Sequence, residues 1–248
     1  MSGHSHWAKI KRYKAATDSK RGSNWSKLAR RIIVAARHGG GNPNDNLPLR
    51  YAIDDARAEN MPNDTIDKAI KKGTGELGAV NYESIMYEGY GPGGAAFLVE
   101  CLTDNRSRTA PELRKIFERG GGQLGANNSV AWMFEQKGLF LVAADKAQED
   151  TLMELALEAG ADDVVLGGEV FEITCSVADF TNVKGALAAK KIPTESGKIL
   201  MLPKNTMLVE DAQKASQVLH FVDLLEENDD VQNVYTNCDI PDNLVEQG

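Results

Sequence analysis

Cysteine is scarce in this 248-residue chain. Cys101, Cys175 and Cys238 stand far apart and never in CxxC spacing. An odd, scattered set excludes a disulfide framework or a zinc site and reads as reduced thiols of a cytoplasmic protein. Histidine numbers only four. His4 and His6 form the one close pair, and no Cys or carboxylate cluster accompanies them, so no metal site is expected. Long apolar runs are missing too. Nothing approaches the roughly 18–20 residues that a membrane span requires. The opening MSGHSHWAKIKRYK has no apolar stretch behind its bases, so it is not a secretory signal. Nucleotide-loop and nucleophile–base signatures are also missing, so no enzyme activity and no cofactor are expected. The glycine runs at 89–94 (GYGPGG) and 120–125 (GGGQLG) do not stand between a strand and a helix with a following Lys-Ser/Thr. They read as tight turns.

What is present is ordinary apolar content, 42%, enough to bury real cores, and an uneven charge. The net charge is −8, yet residues 1–50 carry 11 Lys and Arg against Asp18 and Asp45, a net of +9. Residues 1–76 carry +7 and residues 77–248 carry −15. The basic end suits a polyanion and the acidic body repels one, which confines nucleic-acid contacts to the first 76 residues.

Residues 1–22 read as a basic arm bearing Lys9, Lys11, Arg12, Lys14, Lys20 and Arg21, with Trp7 and Tyr13 interleaved. Cations of this kind neutralise phosphates while aromatics stack on bases. Residues 23–76 read as a helical domain. A helix over Asn24–His38, capped by Ser23, gathers Trp25, Leu28, Ala29, Ile32, Ile33 and Ala36 on one face. Lys27, Arg30, Arg31 and Arg37 are left on the other. A second helix, Leu47–Glu59, starts from Asn46. A third, Asp64–Lys72, starts from Asn63 and ends in Lys68, Lys71 and Lys72. The second and third loosely suggest a helix-turn-helix.

Beyond a linker at 73–81 the pattern turns to strands. Ser84–Glu88, Ala95–Leu102, a helix over Pro111–Arg119 capped by Thr109, and a strand Val130–Glu135 give ββαβ. Residues 137–203 read as a complete βαββαβ unit, the ferredoxin-like split motif. Its strands are Leu139–Ala143, Asp163–Leu166, Val170–Cys175 and Thr194–Leu202, and its helices Lys146–Ala159 and Ala178–Lys190. A helix Asp211–Glu226 and a strand Val231–Asn237 then complete the earlier ββαβ. The expectation is an α+β protein of three domains: three N-terminal helices, then two ferredoxin-like α/β domains. One of these, 137–203, is inserted into the other, 77–136 plus 204–240.

Arg106 and Arg108, at a helix start, suit a secondary anion contact. The same loop equally suits capping by Asp104 and Thr109. The pairs Asp162-Asp163 and Asp229-Asp230 read as solvated turn residues, and His220 beside Phe221 as packed.

Several segments resemble the YebC/PmpR (DUF28-type) family. They are GHSHWAKIKRYKAATDSKRG (3–22), GGGNP (39–43), NMPNDTIDKAIKKG (60–73), YEGYGPGG (87–94), ECLTDNRSRT (100–109), GGQLG (121–125), VAWMF (130–134) and DLLEENDDVQNVY (223–235). The family pattern has Lys where this chain has His6, which removes a full-time charge from the arm. The resemblance implies a helical domain followed by two α/β domains, one inserted in the other. It also implies a cytoplasmic DNA-binding transcriptional regulator with promoter DNA as partner. The family includes a mitochondrial translational activator of a cytochrome oxidase subunit and bacterial proteins linked to ribosomes stalled on proline-rich stretches. A ribosomal-RNA-binding translation factor is therefore the alternative. The sequence leaves the oligomeric state open.

Overall fold

The computed structural model describes residues 21–78 and 80–245. Three helices come first: α1 (Arg21–Gly39), α2 (Leu47–Ala58) and α3 (Asn63–Gly73). Their apolar faces close one core around Ile32, Ile33, Leu49, Ile53, Met61 and Ile66, with Trp25 and Leu28 against it. Asn46 ties two helix ends together. Its side-chain carbonyl accepts from the Leu49 amide at 3.1 Å, and its amide donates to the carbonyls of Ala35 and Gly40, each at 2.8 Å. α1 is already helical at Arg21, so Ser23 lies inside it and is not the cap. α3 is preceded by Pro62, with no side-chain cap, so Asn63 is its first residue.

The first sheet has the order β3-β1-β2-β9, all antiparallel, from β1 (Glu83–Tyr90), β2 (Ala96–Thr103), β3 (Gln123–Leu124) and β9 (Val231–Thr236). α4 (Arg106–Arg119) and α7 (Ala212–Glu226) cover one face. There Phe221 meets Phe97 and Phe117 edge-on, at 4.8 and 5.0 Å between ring centroids.

The second sheet lies between β3 and β9 in the chain. It comprises β4 (Phe134–Ala143), β5 (Ala161–Gly167), β6 (Val170–Cys175) and β7 (Ser196–Pro203), in the order β5-β6-β4-β7. That order is the split βαβ pattern, and α5 (Glu149–Glu158) and α6 (Phe180–Ala189) pack on it through Phe140, Leu152, Ile173 and Val183. The first sheet instead has its β1–β2 hairpin at the centre. A short parallel pair, β8 (Met207–Leu208) with β10 (Cys238–Asp239), and a final turn of helix, α8 (Asp242–Val245), complete the chain. A further apolar cluster joins the two sheets, with Ala96, Leu98 and Tyr235 from the first against Phe134, Leu200 and Met201 of the second.

Three readings of the sequence are corrected here. Val130–Glu135 is not a strand of the first sheet. The Glu88 carboxylate accepts from the amides of Asn128 (2.7 Å), Val130 (2.9 Å) and Ala131 (2.8 Å), which folds 128–133 into turns. Phe134 and Glu135 then open β4, which runs unbroken across the expected division at 136/137. Gly138 is what hid this. A Cβ there would lie 2.6 Å from Cys175 Sγ and 2.7 Å from Phe180, so the glycine is a packing requirement within the strand and not a break. The second correction concerns α4, which begins three residues before Thr109, with Asn105 accepting from the Arg108 amide as cap. The third is that α5 starts at Glu149, not at Lys146, and Asp145 pairs with Lys146 ahead of it.

The two glycine runs lie back to back. A Cβ on Gly122 would sit 2.4 Å from the Tyr90 carbonyl oxygen and 2.9 Å from Gly91 Cα, both main-chain atoms. Backbone cannot move aside as a flexible side chain does, so Gly122→Ala is expected to cost about 2 kcal/mol through overpacking. Urea unfolding measures this, and an unchanged midpoint would show that the runs slide apart freely. Cys101, Cys175 and Cys238 are all free and buried. Burial pushes their thiols up to about 12, 11 and 11 respectively, which leaves them unreactive at neutral pH.

Candidate nucleic-acid interface

The bases assigned to phosphate contact separate into three groups. Trp7, Lys9, Lys11, Arg12, Tyr13, Lys14 and Lys20 lie outside the described residues, as does the side chain of Arg21.

The second group has partners within the chain. Lys27 Nζ donates to the Glu226 carbonyl at 2.6 Å. Arg30 donates to the Asp229 carbonyl and, at 2.9 Å, to the Asp230 carboxylate, with its guanidinium 5.6 Å from the Tyr82 ring centre. Arg31 pairs with Asp55 at 3.0 Å. The reason is geometric. α1 buries one face in the helical core, and the face opposite rests on the α7–β9 turn, where carbonyls and carboxylates are concentrated. Arg37 donates to the Val80 carbonyl at 3.1 Å.

The third group is Lys68, Lys71 and Lys72 of α3. Their side chains are exposed and have no ion pair or hydrogen bond among the described residues. Ile66 and Ala69 face the core, so the lysines fall on the outer surface of that helix.

Asp230 is the residue that sequence reasoning misplaced most. It is 3% exposed, not a solvated turn residue. Its carboxylate accepts from Arg108 at 2.7 Å, Thr109 at 2.7 Å, Thr103 at 3.1 Å and Arg30 at 2.9 Å. Burial alone would raise its pKa. The bonds from Arg108, Thr109 and Thr103 outweigh that and hold the carboxyl below its ordinary value. The network joins α1 to the first α/β unit. It also gives Arg108 intramolecular partners, since that guanidinium is bonded to Asp230 and, at 3.1 Å, to Asp104. Arg106 stays two-thirds exposed, 4.0 Å from Glu83. Asp162 pairs with Lys137 at 2.8 Å, and His220 is exposed while its neighbour Phe221 is buried. Alternation along α7, with Val218, Leu219, Phe221 and Val222 all inward, was the available signal for His220.

Sequence reasoning also passed over an exposed aromatic pair, Tyr90 and Trp132, beside the glycine runs. Among the described residues no cluster of three His, Cys, Asp or Glu could hold a metal ion, and no helix is long and apolar enough to cross a membrane.

Comparisons place this arrangement among known proteins. Residues 5–76 match the model described as the TACO1/YebC protein N-terminal domain, and residues 82–238 match that for the TACO1/YebC second and third domain. A probable transcriptional regulatory protein of Desulfatibacillum aliphaticivorans is 53% identical over 99% of both chains. Another, of Desulforapulum autotrophicum, is 50% identical over 98% of both. The crystal structure of a conserved hypothetical protein, Aq1575, from Aquifex aeolicus superposes with a TM-score of 0.82. It is 44% identical and covers 92% of this chain and 94% of that one. With both family models matched in chain order and half the residues shared with full-length relatives, the chain belongs to the TACO1/YebC family.

Proposed function

We propose that the protein is a cytoplasmic DNA-binding transcriptional regulator, a binding protein and not an enzyme, that holds its polyanion through residues 1–76. The observation that carries this is the charge partition, +7 over residues 1–76 against −15 over the remainder. The relatives described as probable transcriptional regulatory proteins support the same reading. Within the basic part, Lys27, Arg30 and Arg31 have intramolecular partners, so the phosphate contacts fall to the arm and to Lys68, Lys71 and Lys72. Phosphate contacts position a protein on a duplex; base edges specify the sequence.

One observation favours ribosomal RNA as a second reading. Residues 23–76 alone carry nine bases and seven acids; two of those bases, Lys27 and Arg30, are docked against other parts of the chain, and Arg31 is paired with Asp55 within it. Little basic helix surface is left for a groove, while the arm's Trp7 and Tyr13 suit unpaired bases. Crosslinking in growing cells, with bound DNA and RNA sequenced in parallel, tests both readings. Reads confined to a few promoters are expected from a transcriptional regulator. Reads concentrated on ribosomal RNA, with promoters at background, would overturn it in favour of a translation factor.

A further inference from the structure

The exposed pair Tyr90–Trp132 is built as a fixed platform. Trp132 is 64% exposed and Tyr90 43%. Their polar atoms converge on one acceptor, with Tyr90 Oη and Trp132 Nε1 both donating to the Ser129 carbonyl at 3.2 Å. The carbonyl is held in turn. Glu88 accepts the amides on either side of Ser129, those of Asn128 and Val130, and also that of Ala131. Burial would raise the Glu88 carboxyl, but these amide bonds outweigh it and keep the group below its ordinary value, hence an acceptor at neutral pH. Lys204 Nζ donates to the Trp132 carbonyl at 3.0 Å, and the glycine runs pack main chain to main chain behind Tyr90. Six hydrogen bonds therefore set the loop and the ring edges, while the ring faces stay in solvent.

An indole held this way buries little of itself, so core packing does not account for it. Gln123, Asn127 and Asn128 around it are exposed amides, and Lys204 is an exposed cation. A ring face bordered by amide donors and acceptors, with one ammonium beside it, matches a planar, polar-edged ligand on a phosphate chain. We infer that Tyr90 and Trp132 form a stacking site for an unpaired nucleobase, a second contact on the acidic body distinct from the phosphate contacts of residues 1–76. The site rests on the nucleic-acid reading above. Its pre-set geometry keeps the ordering cost low, and stacking needs no base identity.

The test uses the full chain with Trp7→Phe and Trp25→Phe, leaving Trp132 the sole emitter of the three tryptophans. Labelled 12-mers of single-stranded RNA, single-stranded DNA, RNA duplex and DNA duplex are titrated while label anisotropy and tryptophan emission are read together. Single strands are expected to quench Trp132, and the duplexes to bind without quenching. Quenching by RNA alone, by DNA alone or by both assigns the source of the base. In the otherwise native chain, Trp132→Ala is expected to weaken single-strand binding about tenfold at unchanged salt slope, because no phosphate contact is lost. Trp132→Phe should recover most of that loss by restoring a ring face without the N–H. Binding without quenching, with Trp132→Ala at native affinity, overturns the platform alone. Absence of binding by every probe overturns the nucleic-acid reading and the platform together.

Discussion

Asp230→Ala is expected to lower stability by about 3 kcal/mol, the loss that follows when one partner of a buried charge network is deleted. The carboxylate accepts from two guanidiniums and two threonine hydroxyls. Its removal takes one acceptor each from Thr103 and Thr109, both fully buried, and leaves Arg30, whose side chain is only 15% exposed, without its counter-charge. Urea unfolding reads the stability. Limited proteolysis reads the docking, since loss of the Arg30 contact should free the connection around residues 74–82 and speed cleavage there. A native urea midpoint and native cleavage rate would show that the network is dispensable.

The same group sets a pH dependence. Its folded-state pKa is depressed, so its stabilisation is complete above the ordinary carboxylate value, about 3.9, and is lost as pH falls from there through the lower folded value. Asp230→Asn cannot titrate. Its stability relative to the native chain should therefore be lower at neutral pH and should draw closer in acid. A constant gap across that range would mean that Asp230 is not the titrating group.

These residues also show where sequence legibility ends. Helix periodicity identified the α1 core face from Trp25 to Ala36 because 3.6-residue spacing is a local property. The βαββαβ order was equally readable, each element having its own turn signals. What the basic face of α1 would touch was not readable. Lys27 and Arg30 meet residues about 200 positions away, and nothing local distinguishes a docked arginine from a solvated one. Asp230 was hidden in the same way, since an Asp-Asp pair before a strand has the composition of a turn. Gly138 misled for the opposite reason. A mid-strand glycine demanded by Cys175 of the neighbouring strand and Phe180 of α6 has the same local signature as a loop glycine. The platform was missed because GGGQLG was weighed as a phosphate loop or a turn, whereas its part is to bring β3 beside β1 under Tyr90.

Changing Lys9, Lys11, Arg12 and Lys14 together to Glu is expected to weaken nucleic-acid binding by at least about 100-fold at low salt, with urea unfolding unchanged. Each lost phosphate contact removes about 0.9 from the slope of log K against log salt on duplex DNA, so the slope should flatten by about 3 to 4. So large an effect follows from how the candidate bases outside the arm are engaged. Arg30 and Arg31 are bound to carboxylates and Lys27 to a carbonyl, so charge reversal there would disturb docking before it disturbed binding. Lys68, Lys71 and Lys72 are free among the described residues, but they share α3 with Asp64 and Asp67, which leave that helix a net charge of 3 − 2 = +1. Residues 1–22 carry six bases against one acid. Lys68, Lys71 and Lys72 changed together to Glu should accordingly cost less than the arm variant, with a slope change of about 3 at most. Equal affinity of the arm variant and the native chain would move the phosphate contacts out of the arm. A larger loss in the α3 variant would make that helix, and not the arm, the principal seat of binding.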